Sequence, residues 1–321
     1  MKNPAGLSTE SPAGINSLIC FLITLYIQEE TKMRKWLQVI AFVLILLLVP
    51  AFSMGEATYT TEDKEYVNLS EEGTVIQGNG YQIELRYCGP EGKRVFGRLY
   101  YPADFDASKQ YCAIVMNHGG SNTADFWDKF MEPYLTKKGY ICYAFDCRSA
   151  TTNGRGSYGD PTEDGTCSVA TYEEDCSSAI DFVQSLEFVD KKYIYLIGSS
   201  MGGASVQGVA AARKDEIAGL MVMYGMLAED NRGMLPEYDS VKENPYNGEV
   251  LFLLGAKDAT LPVERALENM TWYADKCTLV YIGKAPHGFG REGDRNVQIS
   301  LANILNFLER TGPNGQKKIK Y

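Results

Sequence analysis

The segment Ile197-Gly198-Ser199-Ser200-Met201-Gly202-Gly203 sets two adjacent serines among glycines. It lies between the apolar run "KYIYLI" and the helix-like stretch "ASVQGVAAARK". Glycines two positions before and two after Ser200 give the G-x-S-x-G spacing of a sharp strand-to-helix turn, which exposes a serine hydroxyl at the end of a sheet. Ser199 has no such symmetric flanking and reads as a small filler of the turn. A serine hydroxyl is a poor nucleophile at neutral pH. It needs a general base, and the base needs a carboxylate to fix its tautomer and stabilise its charged form. The chain holds two histidines. His118 belongs to Asn117-His118-Gly119-Gly120-Ser121, where glycines let the backbone approach an anionic oxygen and offer an N–H beside that of Met201. That leaves His287, in Ala285-Pro286-His287-Gly288-Phe289, as the candidate base, and Asp258, in Gly255-Ala256-Lys257-Asp258, as its carboxylate.

Each feature has a plainer reading. Asp258 suits the start of a helix that has Pro262 near its N-terminus. His287 suits a satisfied loop histidine, and Asn117–Ser121 a turn with a histidine packed beneath it. Four such features in the order turn, serine, aspartate, histidine, each at the end of a strand, favour acyl-transfer chemistry over four coincidences.

The elements that must position them alternate. "YQIELRYC" and "RVFGRLYYPA" predict two leading strands joined by a turn at Gly89-Pro90-Glu91-Gly92. "YCAIVMNHGG", "YICYAFDCR", "KYIYLIG", "GLMVMYG", "VLFLLGA" and "CTLVYIG" predict buried strands. Between them fall helical stretches around Phe126 to Lys137, from Thr171 onward, after Ser200, at "PVERALENMTWYA" and from Val297 to Arg310. Thr171 and Glu174 have the spacing of a capping box. Apolar runs of strand length separated by helices imply an α/β fold with a mostly parallel, twisted sheet covered by helices on both faces. In such sheets ligands bind beyond the carboxyl ends of the strands.

Net charge of −10 over 321 residues, with no basic run before Lys317-Lys318-Ile319-Lys320, argues against a nucleic-acid partner. Met33-Arg34-Lys35-Trp36, the apolar Leu37 to Pro50 and the small residues of Ala51-Phe52-Ser53 follow the pattern of a signal peptide. The expected organisation is an upstream segment 1–32, a signal peptide or uncleaved membrane anchor 33–53, and a single domain 54–321. Export makes the cysteines relevant. Cys142 and Cys147 lie five positions apart on one strand and face opposite ways, so they cannot join each other; Cys167 with Cys176 is the pair to test. Cysteine spacing and two histidines match no zinc-site pattern, so no metal is expected.

Through "MNHGGSNTADFW", "YAFDCR", "YLIGSSMGG", "LGAKDATLP" and "KAPHGF", the stretch from Tyr66 to Gly312 resembles the α/β-hydrolase superfamily. Within it, the chain is similar to the small carboxylesterases that include cinnamoyl and feruloyl esterases and dienelactone-hydrolase-like proteins. The resemblance implies Ser200 as nucleophile, His287 as base, Asp258 as acid and the N–H groups of Gly120 and Met201 as oxyanion donors. It implies a small-molecule ester substrate and no cofactor. A serine peptidase or acyltransferase of the same fold, and a non-catalytic binding module on that scaffold, are the alternatives. Cinnamoyl esterases carry a sizeable lid where only Leu227 to Glu249 stands here, so little or no lid is expected. The polar loop Ser149 to Ala170 lies where it would border a pocket or form a surface loop. Trp127 and Phe289 are candidate substrate contacts, with a core position the commoner fate of such residues.

Overall fold

The computed structural model describes residues 75–78, 81–88, 95–120, 122–130, 134–148, 169–225, 227, 238–289 and 295–315. All belong to the unit Tyr66–Tyr321. The expected signal segment, the Lys317–Lys320 tail, Cys167 and most of the Ser149–Ala170 loop lie outside the described residues. Among the described residues no helix is long and apolar enough to cross a membrane.

Among the described residues nine strands form one sheet, in the order β1-β2-β3-β5-β4-β6-β7-β8-β9. β1 (Val75–Gly78), β2 (Tyr81–Cys88) and β3 (Val95–Pro102) are antiparallel, and β3 pairs antiparallel with β5 (Ile141–Phe145). From there β5, β4 (Tyr111–Asn117), β6 (Val189–Ser199), β7 (Gly219–Met223), β8 (Val250–Gly255) and β9 (Cys277–Ile282) run parallel. The helices are α1 (Val169–Ser185), α2 (Met201–Ala212), α3 (Tyr238–Glu243), α4 (Val263–Thr271) and α5 (Arg295–Thr311).

Strand side chains alternate between the two faces, and the core divides along that alternation. Ile114 and Met116 of β4, Tyr195 and Ile197 of β6, and Met221 and Met223 of β7 pack with Leu301, Ile304 and Phe307 of α5. Their neighbours Val115, Leu196 and Val222 pack on the other face with Ile180 and Val183 of α1 and Val206 of α2. A strand buried on both faces loses the polar alternation of a half-exposed one, which is why these segments read as continuous apolar runs. Cys142 and Cys147 fall in opposite clusters, as their spacing requires.

The chain runs from β4 to β5 on one side and then returns to place β6 on the other side of β4. Helix-covered sheets open a crevice where successive connections diverge in this way. The Asn117–Gly120 turn leaves β4 and Ser200 leaves β6, one on each side of it.

The expected start of α1 changes. α1 begins at Val169, so Thr171 lies inside its first turn rather than at its cap. Glu174 does not close a capping box with it, because its carboxylate pairs with Arg148. Within the stretch from Phe126 to Lys137, Ala124–Trp127, Asp128–Phe130 and Thr136–Lys138 are helical, and residues 131–133 lie outside the described residues. β1 was not foreseen, since a four-residue edge strand reading "VIQG" carries almost no pattern.

Candidate active site

Ser200 caps α2 with φ 52° and ψ −118°, backbone angles that a non-glycine residue adopts only under constraint. Its N–H donates to Met223 O at 2.9 Å and its carbonyl accepts from Ala204 N–H at 3.0 Å, so β7 and the first helical turn hold the strain in place. The flanking glycines are required by contact. A Cβ on Gly198 would lie 2.2 Å from Gly202 O, and one on Gly202 would lie 2.4 Å from His118 O. Real side chains do not fit there, so β6, α2 and the turn after β4 meet backbone to backbone.

That turn is fixed from below by His118, which is fully buried. Cys147 N–H donates to its Nε2 at 3.0 Å, so Nδ1 carries the proton and donates to Gly119 O at 2.7 Å. In a trans peptide the C=O and the following N–H point opposite ways. Holding the Gly119 carbonyl on His118 therefore turns the Gly120 N–H to the other side. Gly119 lies against Ser200, and Gly120 against the Met201 side chain. Met201 opens α2, where a helix has no carbonyl of its own for the amide. Asn117, also buried, donates from Nδ2 to Ser205 Oγ at 2.8 Å and accepts from Cys147 Sγ at 3.2 Å, tying the turn to α2 and to the end of β5.

Asp258 follows β8. Its Oδ1 accepts from the N–H groups of Thr260 at 2.9 Å and Leu261 at 2.7 Å, while Oδ2 accepts from His287 Nδ1 at 2.8 Å. The carboxylate side chain has no solvent exposure and the imidazole is 25% exposed. On the far side of the ring, His287 Nε2 lies 3.0 Å from Ser200 Oγ. With Nδ1 donating to Asp258, Nε2 presents its lone pair to the serine hydroxyl. The structure thus brings Ser200, His287 and Asp258 into one hydrogen-bonded line, with Gly120 and Met201 beside the serine. Such a line can take the serine proton at the moment a carbonyl is attacked and stabilise the imidazolium that results.

Two expected substrate contacts are corrected. Trp127 is fully buried, edge-on to Phe126 at 4.8 Å and tilted against Phe130 at 5.5 Å, so it is core. Phe289 is 2% exposed and packs edge-on against Tyr224 at 4.8 Å, so it supports the histidine loop from inside. Tyr224 was overlooked. It follows β7 between the serine and aspartate strands, has φ 37°, and sets its ring edge-on to His287 at 5.1 Å. An aromatic residue and a glycine at a strand's carboxyl end, "MYG", were the available signal. Of the Leu227 to Glu249 connection, Leu227, Tyr238 and Val241 are buried with Ala204 of α2.

Beneath the site, Arg148 and Asp175 form a buried ion pair. Arg148 Nε donates to Asp175 Oδ1 and its backbone N–H donates to Oδ2 at 2.8 Å. Burial outweighs the guanidinium and pushes the carboxyl up to about 6. A carboxyl raised in the folded state contributes stability that is complete below about pH 4 and is lost as pH rises through about 6. Two pK units correspond to about 3 kcal/mol. Asp175→Asn, which keeps the neutral form, is expected to lose less stability than wild type between pH 4.5 and 7. Thermal unfolding of both proteins at the two pH values checks this; parallel losses would contradict it.

Residues 108–268, half of the chain, match the family model for serine aminopeptidases of the S33 group. The match includes the Asn117–Gly120 turn, Ser200 and Asp258. The chain is 29% identical over 112 residues, 35% of either chain, to the uncharacterized protein YcjY of Escherichia coli K12. It is 26% identical over 167 residues to dipeptidyl-peptidase 5 of Porphyromonas endodontalis, covering 49% of this chain and 22% of that one. The chain thus spans about a third and about a fifth of the two relatives' lengths. Among solved structures, esterase 2 of Thermogutta terrifontis, phosphorylated by paraoxon, superposes with a TM-score of 0.57 at 23% identity, over 72% of this chain and 94% of that one. The sheet order, the strained serine turn and the matched half of the sequence agree, and the chain belongs to the serine aminopeptidase S33 family, built on the α/β-hydrolase fold.

Proposed function

We propose that the protein cleaves small-molecule carboxylic esters through an acyl-enzyme on Ser200. The observation that carries this reading is the continuous line from Ser200 Oγ through His287 to Asp258, with hydrogen bonds of 3.0 and 2.8 Å. Ser200 Oγ attacks the ester carbonyl carbon, and its proton passes to His287 Nε2. The carbonyl oxygen, now an anion, accepts from the N–H groups of Gly120 and Met201. The tetrahedral centre collapses, the alcohol leaves with the proton from Nε2, and the acyl group stays on Ser200. Water then gives a proton to Nε2 and attacks the acyl carbon. The Ser200 Oγ–carbon bond breaks, Oγ takes the proton back, and the carboxylic acid departs. No cofactor enters any step.

A peptidase reading is favoured by the family match and by the dipeptidyl-peptidase relative. The two differ in leaving group, because an amine leaves only when His287 protonates it, whereas a phenolate departs unaided. Purified protein assayed on p-nitrophenyl acyl esters and on aminoacyl and dipeptidyl p-nitroanilides separates them. Ester turnover with kcat/KM well above that on every anilide is expected; the opposite order would replace the ester reading by the peptidase one. Export through residues 33–53 is proposed on the basic, apolar and small-residue pattern described above. A mature N-terminus near Met54 in secreted protein is the expected result of N-terminal sequencing.

A further inference from the structure

His287 stands on the loop between β9 and α5, not on a regular element, and the next residue, Gly288, has φ 68°. Two hydrogen bonds fix its nitrogens, one to Asp258 and one to Ser200. Together they define an axis through the ring and leave rotation about that axis unset. The third contact that sets the ring plane is Tyr224, 5.1 Å from the imidazole at an interplanar angle of 69°. The same tyrosine meets Phe289 at 4.8 Å and 69°. One ring thus grips both sides of Gly288.

Tyr224 is itself held from three directions. Its N–H donates to Leu253 O at 2.8 Å on the aspartate strand, while the preceding Met223 carbonyl receives the Ser200 N–H. A Cβ on the following Gly225 would lie 2.4 Å from Ser200 O. These contacts hold Tyr224 at its strained φ of 37° and aim the ring at the histidine. The polar group that acts most on its buried hydroxyl is the Ser199 side chain, not His287.

We infer that Tyr224 is a positioning residue for His287, and that its ring matters most for the second half of the reaction. The inference rests on the ester-hydrolase reading of Ser200. In the acyl-enzyme Ser200 Oγ is part of an ester and has no hydrogen to give, so the bond from the serine hydroxyl to Nε2 is gone. Asp258 and the Tyr224 ring then hold the imidazole by themselves while it activates water.

The test compares Tyr224→Phe, which keeps the ring, with Tyr224→Leu, which removes it, on a p-nitrophenyl ester by stopped flow. Tyr224→Phe is expected to match wild type within about twofold, since it keeps the ring against His287 and deletes a hydroxyl whose polar neighbour is Ser199. Tyr224→Leu is expected to release a burst near one equivalent of p-nitrophenol, followed by a steady rate lowered about tenfold or more. A misplaced catalytic group costs rates of that order. With deacylation slowed, KM falls in step with kcat, and kcat/KM per burst-active site changes by less than about threefold. General damage to the fold would shrink the burst and lower kcat/KM instead. Wild-type kcat in Tyr224→Leu, a loss in kcat/KM as large as that in kcat, or a Tyr224→Phe as impaired as Tyr224→Leu would each overturn the inference. If Tyr224→Leu does not fold, Phe289→Leu loosens the same grip from its other side; it is expected to show the same pattern, and unchanged kinetics would overturn the inference. Turnover in Ser200→Ala within about tenfold of wild type would instead sink the ester-hydrolase reading itself.

Discussion

Ser200→Ala and His287→Ala are each expected to lower kcat on an ester by about 10⁵- to 10⁶-fold, and the double substitution is expected to lower it no further. The two groups form one device. Without the base the hydroxyl stays protonated, and without the hydroxyl the base has no proton to take. No second imidazole stands ready, because the chain holds two histidines and the other is consumed below the Asn117–Gly120 turn. There His118 accepts from Cys147 and donates to Gly119, with no solvent exposure. A residual rate above the uncatalysed one is expected in all three variants, because the amides near Ser200 do not depend on its side chain. Steady-state kinetics on the three proteins checks this, with circular dichroism to show that each is folded. Losses that multiply in the double variant would mean that Ser200 and His287 act in separate steps.

Gly198→Ala is expected to destabilise the protein by about 3 kcal/mol, the upper range for overpacking a well-filled site. In a domain of this size that lowers the unfolding midpoint by roughly 6–12 °C. The added methyl would lie 2.2 Å from Gly202 O and 2.5 Å from Gly202 C, both backbone atoms, so no side chain can swing aside to admit it. Either β6 retreats from α2 or the turn opens, and each movement displaces Ser200 from His287. Activity is therefore expected to fall with stability, by about a hundredfold for a shift near 1 Å. Gly283→Ala is the control: a Cβ there meets nothing within 4 Å, and its midpoint should match wild type. Scanning calorimetry with parallel ester assays reads both quantities. A Gly198→Ala protein with wild-type midpoint and rate would mean that the turn tolerates a side chain.

Much of this arrangement is legible in the residues. Glycines flanking Ser200 mark a turn too tight for a Cβ, and the distances at Gly198 and Gly202 give the reason in atoms. The scarcity of histidine singled out His287, and the buried strands declared themselves as unbroken apolar runs because helices cover both their faces. What stayed hidden depends on partners distant in the chain. Thr171 and Glu174 have capping-box spacing, yet Glu174 turns to Arg148, which β5 delivers from 26 positions away. Trp127 and Phe289 follow the right motifs, but a position after a motif does not say whether a ring points into a cleft or a core. Tyr224 was concealed for the same reason: its value comes from φ 37° and from a histidine 63 positions later, and the aromatic residue and glycine of "MYG" mark a strand end without naming that partner.

The most direct test of the site is covalent. Native protein treated with a fluorophosphonate or with paraoxon, digested and sequenced by mass spectrometry, is expected to carry one adduct, on Ser200 within "YLIGSSMGG" and not on its neighbour. Ser199→Ala should label as wild type does, and Ser200→Ala should not label. An adduct on Ser199 or on a residue outside this turn, or no adduct on folded protein that hydrolyses esters, would contradict the assignment of Ser200 as the nucleophile.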